Sequence, residues 1–198
     1  MKLVVFLIGV ITTVSPLRNA VDFPISALFE FFYYECLGKH ADRILIPTYH
    51  DGSFDDVYVQ VFNYFNNTEF YIDLDRTLPA FEQVRDISSW SNSNAQNIMF
   101  VVTAMSAIRS HHLIPGIYTT KPEWQAIMGD VVGIGRDALL WYSDDNAEVQ
   151  GSANFDDFQP FADFNKPTIK QFARQTNFAS CGIDVNVNVI SDDLDSWQ

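Results

Sequence analysis

Residues 70–76, FYIDLDR, set two carboxylates, Asp73 and Asp75, two positions apart at the end of an apolar run. In an extended strand such residues share a face and lie about 6.6 Å apart, so both carboxyls project together. Beside apolar walls two like charges disfavour each other, and one pKa rises. One neutral acid next to one anion is the equipment of glycoside hydrolysis. Two other readings fit the same residues. The acids can cap the turn that follows, with Asp75 paired to Arg76, or the D-x-D can hold a divalent cation. No cluster of histidines or further acids accompanies the pair, so no metal is expected. His40, His50, His111 and His112 are scattered, and the last two follow a helix whose C-terminus they suit. There is no G-x-S-x-G nucleophile turn.

The elements that must position such a pair read as alternating strands and helices. Strands are expected near residues 20–24, 42–50, 69–76, 113–120, 137–144, 167–173 and 182–190, with 57–65 ambiguous between strand and helix. Residues 26–38 carry apolar side chains at helical spacing, with Ser26 as a cap and Gly38 as a stop. Residues 92–111 predict a second helix, apolar at 98, 101, 102, 105 and 108. KPEWQAIMG predicts a short third one with proline in its first turn. NFDDFQPFADFN reads as an aromatic loop. The alternation argues for an α/β sheet, open and doubly wound or closed as a (β/α) barrel. No glycine-rich phosphate loop follows a strand, so a nucleotide-binding sheet fits less well.

The whole chain has 198 residues, 47% hydrophobic and 15% aromatic, enough for one domain with a substantial core. Residues 1–20 have one lysine, an apolar run and a small-residue end, the pattern of a secretory signal peptide cleaved near Ala20. The remainder, 21–198, is expected to be a single domain. Formal charge is -13; without Lys2 and Arg18 it is 10 basic against 25 acidic residues, or -15. Such a chain is repelled by nucleic acid and by anionic surfaces, and no later segment approaches the length of a spanning helix. The expectation is a secreted monomer that binds neither nucleic acid nor membrane. Two cysteines, Cys36 and Cys181, form a disulfide or remain as two buried thiols. Asn66-Asn67-Thr68 is a glycosylation sequon, with Asn66 as acceptor.

Several stretches then line up in order: ECLGKHADRILIPTYHDGS, FYIDLDR, PGIYTTKPEWQAIMGD, LLWYSDDN, FDDFQPFADFNKPTIKQF and CGIDVNVN. Together they resemble glycoside hydrolase family 25, the Chalaropsis-type lysozymes, in its nematode and protist branch. The resemblance implies a (β/α) TIM-type barrel, here shortened or irregular between residues 50 and 70. It implies secretion, no cofactor, and cleavage of peptidoglycan between N-acetylmuramic acid and N-acetylglucosamine, in antibacterial defence or digestion of bacteria. It matches Asp22 to a first-strand aspartate and Asp73-Leu74-Asp75 to the family's D-x-E, with Asp75 as proton donor and Asp73 as orienting carboxylate. On the last strand it matches Asp184 or Asn186 to an aspartate. Tyr118, Trp141 and Tyr142 become sugar contacts, while Phe155, Phe158 and Phe161 suit packing. A Cys36–Cys181 bridge would fasten first and last strands. The chain departs from the pattern at Asp75, one methylene shorter than glutamate. That sets its carboxyl about 1.5 Å back, and a shift of about 1 Å can cost 10²-fold in rate. The alternative is a catalytically weakened member that binds glycan.

Overall fold

The fold is a computed structural model that describes residues 18–22, 43–45, 47–48, 57, 79–143, 151–178 and 181–192. Eight strands form one sheet: β1 (Arg18–Asp22), β2 (Arg43–Leu45), β3 (Pro47–Thr48), β4 (Ala80–Val84), β5 (Pro115–Thr119), β6 (Leu139–Ser143), β7 (Ile169–Phe178) and β8 (Ile183–Ile190). Their order across the sheet is β2-β1-β8-β7-β6-β5-β4-β3. β8 runs antiparallel to both β1 and β7, and every other pairing is parallel. Two reversals across β8 return β1 and β7 to one direction. All strands but β8 therefore end on the same rim. The outermost strands, β2 and β3, are separated in sequence by Ile46 alone, so covalent geometry holds the two edges within about 7 Å. The sheet curls.

A wholly parallel TIM-type barrel is thus replaced by a mixed, curled sheet. The reason lies in the last connection. Residues 179–182 are all that separate β7 from β8, whereas a parallel crossover needs a dozen residues or more. Gly182 takes φ 66 in this turn, a conformation that glycine adopts without strain.

Two cores flank the sheet. On the concave face Phe81, Tyr118, Leu139, Trp141, Ile169 and Ile190 pack together. Gly116 belongs to this face, because a Cβ there would collide with the Phe81 ring. On the convex face Val84, Ile117, Leu140 and Tyr142 pack against α1 (Asn94–Ser110) and α2 (Lys121–Met128). The buried face of α1 includes Phe100, Val101, Ala104, Met105, Ala107 and Ile108, while Val102 is 46% exposed. Of the expected apolar positions, Val101, Met105 and Ile108 are buried and Ile98 packs against the core, so Val102 is the one of the five that faces outward. Buried Asn97 donates to the Ile127 carbonyl at 2.8 Å, and Asn94 donates to the same atom at 2.9 Å. Two side chains from the first turn of α1 thereby satisfy a carbonyl at the end of α2 that has no helical partner.

Strand β4 was absent from the sequence expectation, because A-F-E-Q-V offers no clean apolar alternation. The strand expected at 69–76 lies outside the described residues, as do the helix expected at 26–38 and the sequon at Asn66. Of 57–65 only Val57 is described; it is helical and buried. β1 reaches into the expected leader: Arg18, Asn19 and Ala20 pair with Ile190, Val189 and Asn188.

Cys181 is disulfide-bonded, and Cys36 is the chain's other cysteine. A loop of about 145 residues closed in this way constrains the unfolded chain by about 4–5 kcal/mol in the chain-entropy model. Reduction is expected to lower the unfolding free energy by that order, read from urea midpoints with and without dithiothreitol. An unchanged midpoint would refute a stabilising bridge.

Candidate functional site

The common rim collects Asp22 from the end of β1, Arg85 just past β4, Tyr118 from β5, Ser143 from β6, Arg174 from β7 and Asn186 from β8. Asp22 is 4% exposed. Three amides donate to its carboxylate: Asn188 to Oδ1 at 2.6 Å, Asn186 to Oδ2 at 2.8 Å, and Gln171 to both oxygens at 3.2 and 3.4 Å. Burial raises the pKa of Asp22 from its ordinary value. The three amides and the Arg85 charge pull it down without cancelling that rise.

Two obligate donors orient two of these amides. The Trp141 indole N–H donates to Asn188 Oδ1 at 2.9 Å. Indole nitrogen can only donate, so Asn188 must present its oxygen there and its NH₂ to Asp22. Arg174 Nε likewise donates to Gln171 Oε1 at 3.0 Å, which leaves Gln171 Nε2 for Asp22. Arg174 Nη2 also reaches Ser143 Oγ at 2.8 Å.

Tyr118 stacks on Trp141, ring centroids 4.1 Å apart at 25°, and the Phe81 edge supports Trp141 from another side at 5.5 Å. Arg85 lies over the Tyr118 ring, which is buried at 6% exposure. Its Nη1 donates to Tyr118 Oη at 2.6 Å, and its guanidinium carbon is 4.9 Å from the Tyr118 ring centre. Helix α2 fixes Arg85. Thr120 caps α2 and accepts from the Glu123 backbone N–H at 3.2 Å. The Glu123 carboxylate then accepts from Arg85 Nε at 2.8 Å and from the Asp86 N–H at 3.0 Å. Burial pushes the Tyr118 phenol up to about 12; Asp22 adds to the rise, while Arg85 and Arg174 oppose it. Tyr118 is therefore a neutral hydroxyl at any physiological pH.

The expected site residues separate on this geometry. Asp22, Asn186 and Tyr118 come together. The choice on the last strand falls on Asn186, which pairs directly with Asp22. Asp184, two residues earlier on the same face, is exposed. Trp141 joins the site from below: it is 0% exposed under Tyr118, so it supports the floor and offers no stacking face. Tyr142 is a correction. Strand alternation turns it to the convex face, where it packs against Phe158 at 5.2 Å and donates to Asp157 at 2.9 Å. Phe155, Phe158 and Phe161 pack against that same convex core. Asp73 and Asp75 lie outside the described residues. The strand beside β5 is β4, whose concave-facing positions are Phe81 and Gln83, followed by Arg85. Its one acid, Glu82, alternates to the other face and is 2% exposed.

Sequence reasoning missed Arg85, Glu123, Gln171, Arg174 and Asn188. One signal was present. DVNVNV alternates polar and valine with period two, which marks Asp184, Asn186 and Asn188 as one face. Among the described residues no three of His, Cys, Asp and Glu gather to hold a metal ion. A cavity of about 280 Å³ lined by Gly135, Leu139, Phe164, Lys166 and Thr168 opens at the opposite rim, away from Asp22.

The proteins this chain resembles are lysozyme-like glycoside hydrolases. Residues 76–172 match the family described as Lys-1, lysozyme-like protein 1. Lysozyme-like protein 7 of Caenorhabditis elegans is 38% identical over 110 residues, 54% of this chain and 38% of that protein. A probable GH family 25 lysozyme 5 of Dictyostelium discoideum is 36% identical over 100 residues, 49% of this chain and 43% of that protein. Over these residues the chain is similar to lysozymes of the GH25 type. It spans about two-fifths of the length of these curated relatives, 38% and 43%. A GH25 lysozyme from Aspergillus fumigatus shares the fold at a TM-score of 0.64 and 14% identity, over 91% of this chain and 96% of that one. A muramidase from Trichobolus zukalii does so at 0.63 and 13%, over 91% and 96%.

Proposed function

We propose that this chain is a secreted muramidase-type glycoside hydrolase that acts on peptidoglycan in antibacterial defence or digestion of bacteria. The observation that carries the reading is the rim itself: an amide-clamped Asp22 beside the Tyr118 floor, in a chain that resembles this family. Asp22 supplies a fixed carboxylate under the sugar, Tyr118 a polar-edged aromatic contact, and Asn186 a further amide at the rim. Asp75 is the proton donor and Asp73 its orienting neighbour in this proposal.

One observation favours a second reading, a weakened relative that binds glycan. Gln83 and Arg85 follow Phe81 along the concave side of β4, and neither can donate a proton as a carboxylic acid does.

Release of reducing ends from purified peptidoglycan between about pH 3 and 7 separates the two. The parent is expected to release them, Asp75→Ala to lose about 10²-fold or more, and Asp75→Glu to gain activity, since a misplacement of about 1 Å is worth that much. A parent that sediments with peptidoglycan yet releases nothing supports the second reading. A parent that neither binds nor cleaves it removes both.

A further inference from the structure

β8 runs against both its neighbours, so it ends on the rim opposite Asp22. The cavity of about 280 Å³ opens on that rim. Thr168 joins the two features. It lines the cavity, and its carbonyl accepts from the Ser191 N–H at 2.8 Å, one residue past the end of β8. The chain therefore leaves the sheet at the cavity wall. After Asp192 come Asp193, Leu194, Asp195, Ser196, Trp197 and Gln198, which lie outside the described residues. An extended chain covers at most about 3.5 Å per residue, so Trp197 has a reach of about 20 Å from Ser191. The cavity begins at that anchor.

Cavity and segment are complementary in charge. The mouth carries Arg136 and Lys166, both exposed, in a chain of formal charge -13. The acid beside them, Asp163, accepts from the Gly133 N–H and pairs with Arg136 Nε at 3.8 Å. Residues 191–198 bring Asp192, Asp193 and Asp195 and no base. The two also match in shape. Half-buried Ala138 and Pro167 and the methylene stems of the two cations form the accessible apolar walls. Small-molecule pockets usually measure about 300–1,000 Å³, and a cavity just below that range suits one ring better than a run of sugars. An indole there buries apolar area against Pro167 and meets two cations beside its face.

We propose that this cavity is the seat of the chain's own residues 193–198, with the Trp197 ring inside it and Asp193 and Asp195 against Arg136 and Lys166. The segment then closes the rim opposite the Asp22 site. A short tether gives it an effective concentration on the order of millimolar, so contacts too weak to hold a free peptide hold this one. The inference stands apart from the glycan reading, because the cavity and Asp22 are at opposite ends of the sheet.

The test is fluorine NMR on the full disulfide-bonded chain labelled with fluorotryptophan. The chain has four tryptophans, and Trp90, Trp124 and Trp141 are buried at 7%, 0% and 0% exposure, which supplies internal references. Trp197→Phe assigns the remaining resonance. On transfer to heavy water, Trp197 in the parent is expected to show only a small fraction of the solvent shift of free fluorotryptophan. Raising the salt should increase that shift, since the charged contacts are screened. Arg136→Glu with Lys166→Glu is expected to raise it to the free value. Adding Asp193→Lys and Asp195→Lys to that pair should restore protection, which a general loosening of the rim would not do. Should the cavity variant fail to fold, Asp193→Lys with Asp195→Lys alone, which alters no residue of the sheet, is expected to release the ring. A full solvent shift at Trp197 in the parent overturns the proposal. So does protection that neither reversal nor salt disturbs, because the ring is then seated elsewhere. Protection that appears only as the chain dimerises on sizing chromatography gives the seat to a second copy and overturns the contact within one chain.

Discussion

Asp157→Ala is expected to lower the unfolding free energy by about 3 kcal/mol, the low end for breaking a buried ion pair. The low end applies because the Asp157 side chain is 40% exposed. Its partner is the reason for a large effect. Lys170 sits on β7, pointing to the convex face, with its side chain 1% exposed. Its ammonium donates to Asp157 Oδ1 at 2.6 Å and lies 5.9 Å from the Tyr142 ring centre. Removing Asp157 leaves a buried charge without a counter-ion and frees the Tyr142 hydroxyl as well. Lys170→Met is expected to cost under about 1 kcal/mol, since an apolar chain of similar length needs no partner. The contrast matters more than either value: equal losses would mean that packing and not charge holds this corner. The loss has a pH signature. Burial alone would raise the Asp157 pKa, but hydrogen bonds from Lys170 and Tyr142 and the Lys170 charge hold it below its ordinary value. Its contribution is therefore full above the ordinary carboxylate range and fades as pH falls through the lowered folded value. Urea midpoints of parent and Asp157→Ala should converge on acidification.

Asp22→Asn is expected to show the opposite trend. The substitution sets an NH₂ group against amide NH₂ donors already aimed at Asp22, an unsatisfied buried contact worth about 1–3 kcal/mol. Superimposed on this is the titration. Burial raises the folded pKa of Asp22 despite its three amide donors. The native state therefore holds this proton more tightly than the unfolded chain does. Stability from that proton is full below the unfolded pKa and is lost as pH rises through the raised folded value. The advantage of the parent over Asp22→Asn should thus be greatest in acid and decline to a plateau above the folded pKa. Urea melts at several pH values read it, and a carboxyl-carbon NMR titration locates the midpoint. An advantage that grows with pH would show that the amides outweigh burial and that Asp22 is held as an anion throughout. Loss of rim function in the variant is expected as well, because Asn188 and Gln171 lose the acceptor that arranges them.

The two aspartates show how unevenly a site can be read from residues. Asp22 was accessible because a first-strand aspartate is part of a family likeness. Asn186 was accessible as one of two register choices, and pairing with β1 decided between them. Arg174 carried no local signal. It sits within a register irregularity, between Ala173 and Thr176, in the long strand β7, and its importance comes from Gln171 and Ser143, of which the second lies on another strand. Arg85 was missed with its whole strand. A strand covered on both faces need not alternate, and Glu82 and Gln83 side by side disguise it. Tyr142 was grouped with Tyr118 and Trp141 as an aromatic sugar contact, whereas adjacent strand residues such as Trp141 and Tyr142 point apart.

By itself the sequence determined the position of α1, α2, β5, β6 and β8 within a few residues, through apolar periodicity and the proline in the first turn of α2. It also carried the resemblance to GH25 lysozymes, through motifs kept in order. Tertiary structure alone decided that the sheet is mixed and curled, that β4 lies at 80–84, and that Asp22 meets Asn186, Asn188 and Gln171. The division follows from the range of the forces. Helix caps and turns are settled by side chains within a few residues of each other. The Asp22 clamp joins residues 149 to 166 positions apart, and only the closing of the sheet brings them to one rim.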